Sequence, residues 1–199
     1  MPEQQDGTAL PAPFRAAVEA VRRANVRSEL TVTEIESPGR LAPFSLALAA
    51  DVTPSAHANE ELGTGRFILL YDPEEPEAWG GPFRVVCFAQ APLELEIALD
   101  PFTADVTWSW LMDALDTRGA KYHSAAGTAT KVLSTGYGEL AEQGSGAQLE
   151  LRASWSPDET DLAAHVEGWS ELLCMLAGLP PVGEGVSLLS ARRMARGDK

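Results

Sequence analysis

A chain of 199 residues that is 45% hydrophobic and 22% charged can bury a sizeable core, so it needs neither a disulfide framework nor a metal to hold its fold. With 29 acidic against 15 basic residues the net charge is −14, a field that repels phosphate backbones and argues against general nucleic-acid binding. The N-terminal MPEQQDGTALPAPF lacks the basic start and apolar core of a secretory leader, and no run approaches the roughly 18 apolar residues of a membrane span.

Residues 1–11 read as a disordered lead-in rich in Gln, Pro and Gly. Phe14, Val18 and Val21 recur at helical spacing, which predicts a helix over 12–27. TVTEIES alternates and predicts a strand; RLAPFSLALAADV is ambiguous, because its Leu and Ala content favours helix while Pro43 permits only a start there. GRFILLYDP and FRVVCFAQA are apolar strands separated by the turn-rich EEPEAWGGP, most simply an antiparallel hairpin. LELEIALDP alternates like a strand but is built of helix formers, and Pro92 can open a short helix, which is the reading preferred.

VTWSWLMDAL sets Trp108 and Trp110 two apart. In a helix such residues lie about 200° apart, so one core face cannot hold both rings. Trp108, Leu111, Met112 and Leu115 form a helical stripe, with Asp105 as the expected N-cap and Gly119 as the closing glycine, so 105–118 is predicted helical. Trp110 then points off the core stripe toward Ala114 and Thr117, either under another segment or toward a partner. GTATKVLSTGY and AQLELRASW predict two more strands around a flexible polar loop, GELAEQGSG. Ser156-Pro157-Asp158-Glu159 has the pattern of a capping box opening a last helix over 157–177, with Leu162, Val166, Trp169, Leu173 and Leu176 as its apolar stripe and Gly178 at its end. Residues 182–199 read as a tail that carries Arg192, Arg193, Arg196 and Lys199.

The expected fold is therefore α+β: one domain over 12–181, a mainly antiparallel sheet of about five strands with helices on one face, in the order helix, three strands, helix, two strands, helix.

Chemistry-bearing motifs are few. GTGR at 63–66 and GYG at 136–138 lack the strand–turn–helix context of a phosphate loop, and there is no nucleophile elbow. His57, His123 and His165 are scattered; His57 and Glu60 sit at one-turn spacing, but a metal needs three or four converging ligands, so no metal or cofactor is expected. His165 flanks the apolar stripe as a half-buried imidazole. Cys87 in VVCFA and Cys174 in LLCML read as buried free thiols, which suits a reducing cytoplasm. Between Arg84 and Arg118 there is no basic residue, whereas Glu94, Glu96, Asp100, Asp105, Asp113 and Asp116 all fall there. Trp110, Asp113 and Asp116 are accordingly the candidate partner contacts, and no catalytic residue is assigned.

FRVVCFAQA, VTWSWLMDALDTRGA, ELRASWSP and DLAAHVEGWSELLCMLAGLPP together resemble an actinobacterial family known only as domain of unknown function 3000, over roughly residues 12–185. That resemblance implies membership and no activity. The order of elements is also similar to that of type III secretion chaperones and the YbjN-like sensory regulators, from which the chain departs in its 37–64 segment and its loop around Trp79. Those are small acidic cytoplasmic proteins, usually dimeric, that bind polypeptides without catalysis. The expectation is an acidic, cytoplasmic, non-catalytic protein-binding or adaptor module, with a protein partner or homodimer and neither nucleic acid nor membrane. The alternative is an enzyme or small-molecule binder whose site is dispersed along the chain.

Overall fold

In FRVVCFAQAPL every second side chain is buried: Phe83, Val85, Cys87, Ala89 and Ala91 share one face, and Arg84, Val86, Phe88 and Gln90 the other. This segment, Phe83–Leu93, is β4 at the centre of a computed structural model that describes residues 10–53 and 62–180. The other strands are β1 (Leu30–Ile35), β2 (Phe44–Val52), β3 (Gly63–Tyr71), β5 (Tyr122–Thr135) and β6 (Ser145–Pro157). They form one six-stranded antiparallel sheet in the order β1-β2-β3-β4-β6-β5. The helices are α1 (Ala12–Arg23), a single-turn α2 (Leu95–Leu99), α3 (Thr103–Thr117) and α4 (Ala163–Leu176). The class is α+β, as the sequence implies. The lead-in up to residue 9, the His57–Glu60 pair and the tail from 181 onward lie outside the described residues.

The sheet has six strands instead of about five because the ambiguous 40–52 segment supplies β2. Its Leu and Ala content is helix-prone, but β2 is paired on both edges, with Ala50 opposite Val32 on one side and Gly65 on the other. A strand that fills a two-sided slot and buries Leu46, Leu48, Ala50 and Val52 on one face gains more than a weak local preference can oppose. Four strands therefore precede α3, not three. Pro92 belongs to β4, opposite Gln148, so it does not open α2; α2 begins at Leu95. α1 stops at Arg23, four residues before the expected end.

α4 shows the largest departure. Ser156 and Pro157 end β6, opposite His123 and Tyr122, and the helix starts only at Ala163 with Leu162 as N-cap. The capping-box pattern is used differently. The Ser156 hydroxyl donates to the Trp79 carbonyl at 2.6 Å, and Asp158 pairs with His123. The Asp161 carboxylate accepts the Ala163 N–H instead. The other end follows expectation: Gly178 takes φ +76°, its N–H bonds the Met175 carbonyl, and the Leu179 N–H bonds that of Cys174. The apolar stripe is entirely buried.

α4 lies across β3 and β4, α1 packs Phe14 against Phe44 and Tyr71, and α3 lies between α4 and β5. The core sits between this helical layer and the sheet, with the Phe67 ring in contact with both Trp155 and Trp169. α3 and α4 approach closely at Gly168, where an added Cβ would stand 2.9 Å from Leu115 Cδ2 and 3.2 Å from the Leu115 backbone nitrogen. The opposite face of the sheet carries a mixed row running Thr33, Ala49, Arg66, Phe88, Arg152, Thr128, with the Arg152 guanidinium over the Phe88 ring.

Candidate functional site

α3 does not begin at Asp105. Asp100 accepts the Phe102 N–H at 2.8 Å, a turn that places Thr103 at the helix start, and the Thr103 hydroxyl donates back to the Ile97 carbonyl at 2.6 Å. That bond locks α2 to α3. Asp105 falls in the first turn, where a carboxylate suits the helix dipole. Thr107, Leu111, Ala114 and Leu115 are buried, and Trp108 and Met112 are partly buried against the same core. Trp108 lies over Gly127 of β5, where an added Cβ would meet its ring carbon Cζ3 at 2.7 Å.

Trp110 is on the other side, 36% exposed. It lines two adjoining hollows together with Met175 of α4. One, of about 410 Å³, is walled by Asp113, Ala114, Thr117, Arg118 and Glu171. The other, of about 320 Å³, runs along Ile97, Phe102, Val106 and Leu176 to Gly178. Of its lining, Phe102 is 67% exposed and Ile97 and Val106 are exposed as well, and α2 leaves Leu95 and Leu99 in solvent besides. The two hollows make a groove between α2–α3 and the end of α4, with Asp100 at one end and Asp113 at the other.

The three sequence candidates are thus divided. Trp110 and Asp113 share the groove. Asp116 instead accepts a hydrogen bond from the Tyr122 hydroxyl at 3.0 Å, and Tyr122, through burial and then the neighbouring carboxylate, has its phenol pushed up to about 12. Sequence reasoning missed Phe102, Val106 and Met175. The signal available was the surplus of apolar residues over 95–110, more than one core-facing stripe can hold.

Sequence reasoning also missed the charged network below the groove. Glu171, 7% exposed, takes Arg27 at 3.3 Å and Arg118 at 3.0 Å; Arg118 also meets Glu167, and Arg27 meets Glu29 at 2.6 Å. The Arg27 bond holds the Glu29 carboxyl down at about 2. Arg27 also donates to the Pro180 carbonyl at 2.7 Å, so the network ties α3, α4 and the segment after α1 to the point where the described chain ends.

Ser156, His123 and Asp158 have the composition of a hydrolytic triad but not its arrangement. His123 Nδ1 meets Asp158 at 2.6 Å, yet Nε2 meets the Trp79 carbonyl at 3.1 Å, and the fully buried Ser156 hydroxyl donates to that same carbonyl. Arg84 reaches Ser156, Ser154 and the Ser124 carbonyl. The cluster pins the Trp79 loop to the sheet, and none of the hollows around Trp110 is lined by Tyr122 or His123. His165 is wholly buried, not half-buried. Its Nδ1 accepts the Trp155 indole N–H at 3.0 Å, its Nε2 has no partner, and burial pushes its pKa down to about 4. Cys87 and Cys174 are buried and unpaired, and burial pushes both thiols up to about 12, far from a reactive thiolate. Among the described residues no three His, Cys, Asp or Glu side chains converge as a metal site would require, and no helix is long and apolar enough to cross a membrane.

Fold and groove define an α+β protein whose antiparallel sheet is backed by helices on one face and whose helical layer leaves an apolar, carboxylate-bearing cleft open. The chain belongs to the family described as protein of unknown function DUF3000, whose model matches residues 10–187. Neither the comparison with curated proteins nor that with solved structures gives a match.

Proposed function

We propose that this is a non-catalytic, cytoplasmic protein-binding module that takes a polypeptide segment in the groove between α2–α3 and α4. The observation that carries this reading is the exposed apolar run from Leu95 to Trp110 around an already formed cleft. Large aromatics at such clefts anchor partner segments, and helical or extended peptides commonly seat apolar residues in them. Asp100 and Asp113 line the cleft, and its Arg118 is already paired with Glu167 and Glu171, which gives it a preference for a segment carrying basic residues. Two buried free thiols suit a reducing compartment. The similarity of element order to secretion chaperones, departing by the extra strand β2, is in keeping with polypeptide binding but is a likeness of fold only.

Trp110→Gln tests this. Thermal melting should be nearly unchanged, while a partner retained by the wild-type protein in a pull-down, or self-association in sedimentation, should be lost. Unchanged association with an unchanged melt would refute the groove. The same acidic field predicts no submicromolar binding of duplex DNA at about 0.15 M salt, checked by fluorescence anisotropy.

A further inference from the structure

Resting on that reading, we infer that the groove's resident occupant is the chain's own segment 186–196, VSLLSARRMAR, which competes in its own molecule with outside partners. Three observations meet here. The described chain leaves α4 through Gly178, which lines the apolar hollow, and Pro180, which is bonded to Arg27 of the network that also holds Glu171. Residues 186–196 supply Val186, Leu188 and Leu189 and then Arg192, Arg193 and Arg196 with no carboxylate in that stretch, which is flanked by Glu184 and Asp198. The groove offers an apolar stretch of Ile97, Phe102 and Val106 and carboxylates at Asp100 and Asp113; of the cations beside them, Arg118 is already paired with Glu167 and Glu171, and the Lys131 ammonium donates to the Asp100 carbonyl.

The reach suffices. Six residues from Pro180 to Val186 span up to about 20 Å, and Phe102 to Trp110 covers only about 12 Å of helix. A short tether holds its peptide at an effective concentration of roughly 1 mM. Against a free-peptide Kd near 0.1 mM, it keeps the groove filled about nine-tenths of the time and weakens any competitor about tenfold. The contact is partly ionic, so the competition relaxes as salt rises.

The test uses a fluorescein-labelled peptide of residues 184–199, titrated by anisotropy with full-length proteins: wild type, the tail variant Leu188→Asp/Leu189→Asp/Arg192→Glu/Arg193→Glu, and that variant with Trp110→Gln added. Melting is recorded for each. The expected result is that the tail variant binds the peptide about tenfold more tightly than wild type, with binding lost on Trp110→Gln at an unchanged melt. Equal affinity for wild type and tail variant, still dependent on Trp110, overturns the occupancy and leaves the groove as a peptide site. Binding that ignores Trp110→Gln, or no binding to any form, overturns the occupancy too, and the groove is then judged by its own partner-capture experiment. Sedimentation showing a wild-type dimer that the tail changes dissociate would assign the segment to a second copy and overturn the intramolecular form.

Discussion

Trp108 and Trp110 stand two residues apart on α3 and meet opposite surroundings. Trp108 turns toward β5, over Gly127, and belongs to the core; Trp110 turns toward Met175 and the open groove. The comparison extends to whole faces. α4, in the same layer, buries His165, Ser170 and Glu171 as well as its apolar stripe, whereas α2–α3 leaves Leu99, Phe102 and Val106 in solvent. Apolar content alone separates neither pair. What separates them is whether another element packs directly onto that side: Trp108 lies on β5, whereas the end of α4 borders Trp110 only across an open hollow.

The largest expected effect lies on the buried side. Trp169 is fully buried against Phe67, and its indole N–H reaches the Phe88 carbonyl at 3.4 Å. Trp169→Ala should cost about 3–5 kcal/mol, read from the denaturant midpoint at constant m-value. A loss below about 1 kcal/mol would mean that the two sides of the helical layer do not differ as described.

Acid should act through the same buried side. Folded His165 titrates at about 4, below the ordinary value of about 6.5 for an unfolded histidine. Between those pH values the unfolded chain takes up a proton that the folded one excludes, so stability falls as pH drops from 6.5 to 4, by about 3 kcal/mol in all. Glu29, held at about 2 by Arg27, loses its contribution only below about pH 4.5. His165→Leu strands the Trp155 indole donor and should lower stability at pH 7.5 by about 1–3 kcal/mol, while flattening the slope between pH 6.5 and 4. An undiminished slope would assign the acid sensitivity elsewhere.

Gly168→Ala sets helix propensity against packing. In an open helix the change would stabilise by up to about 1 kcal/mol, but at this crossing the new methyl meets Leu115 down to its backbone. Net destabilisation of about 1–3 kcal/mol is expected in thermal melts. A gain would show that α3 and α4 can part without cost.

Legibility in the sequence followed the source of the constraint. The strands from Gly63 to Leu93, the α3 stripe and the glycine end of α4 are set by neighbours within a few residues, and the sequence displays them. β2 is ambiguous in the sequence because its two partners, β1 and β3, outweigh its own propensity. The local pattern puts the start of α4 at 157 and the structure at Ala163, because Ser156 and Asp158 bond Trp79 and His123, residues distant along the chain, in preference to their own helix. Trp110 could be placed off the core by phase alone. Its companions Met175 and Phe102 could not, since they come together only when the α2–α3 turn docks beside the end of α4.

The smallest stability effect is expected at the groove rim. Phe102→Asp alters a side chain that is 67% exposed and should change stability, read from the denaturation midpoint, by less than about 0.5 kcal/mol while abolishing partner capture. A capture yield equal to wild type would remove the apolar rim from the binding surface.

The two tryptophans give the most direct test. Trp108→Ala and Trp110→Ala, prepared side by side, are compared for chemical denaturation and for binding of the labelled 184–199 peptide in the tail-variant background. The account predicts that Trp108→Ala lowers stability by more than about 2 kcal/mol and that the folded fraction still binds, whereas Trp110→Ala stays within about 1 kcal/mol of its parent and loses the peptide. Equal destabilisation by both, with peptide binding kept by Trp110→Ala, would contradict it.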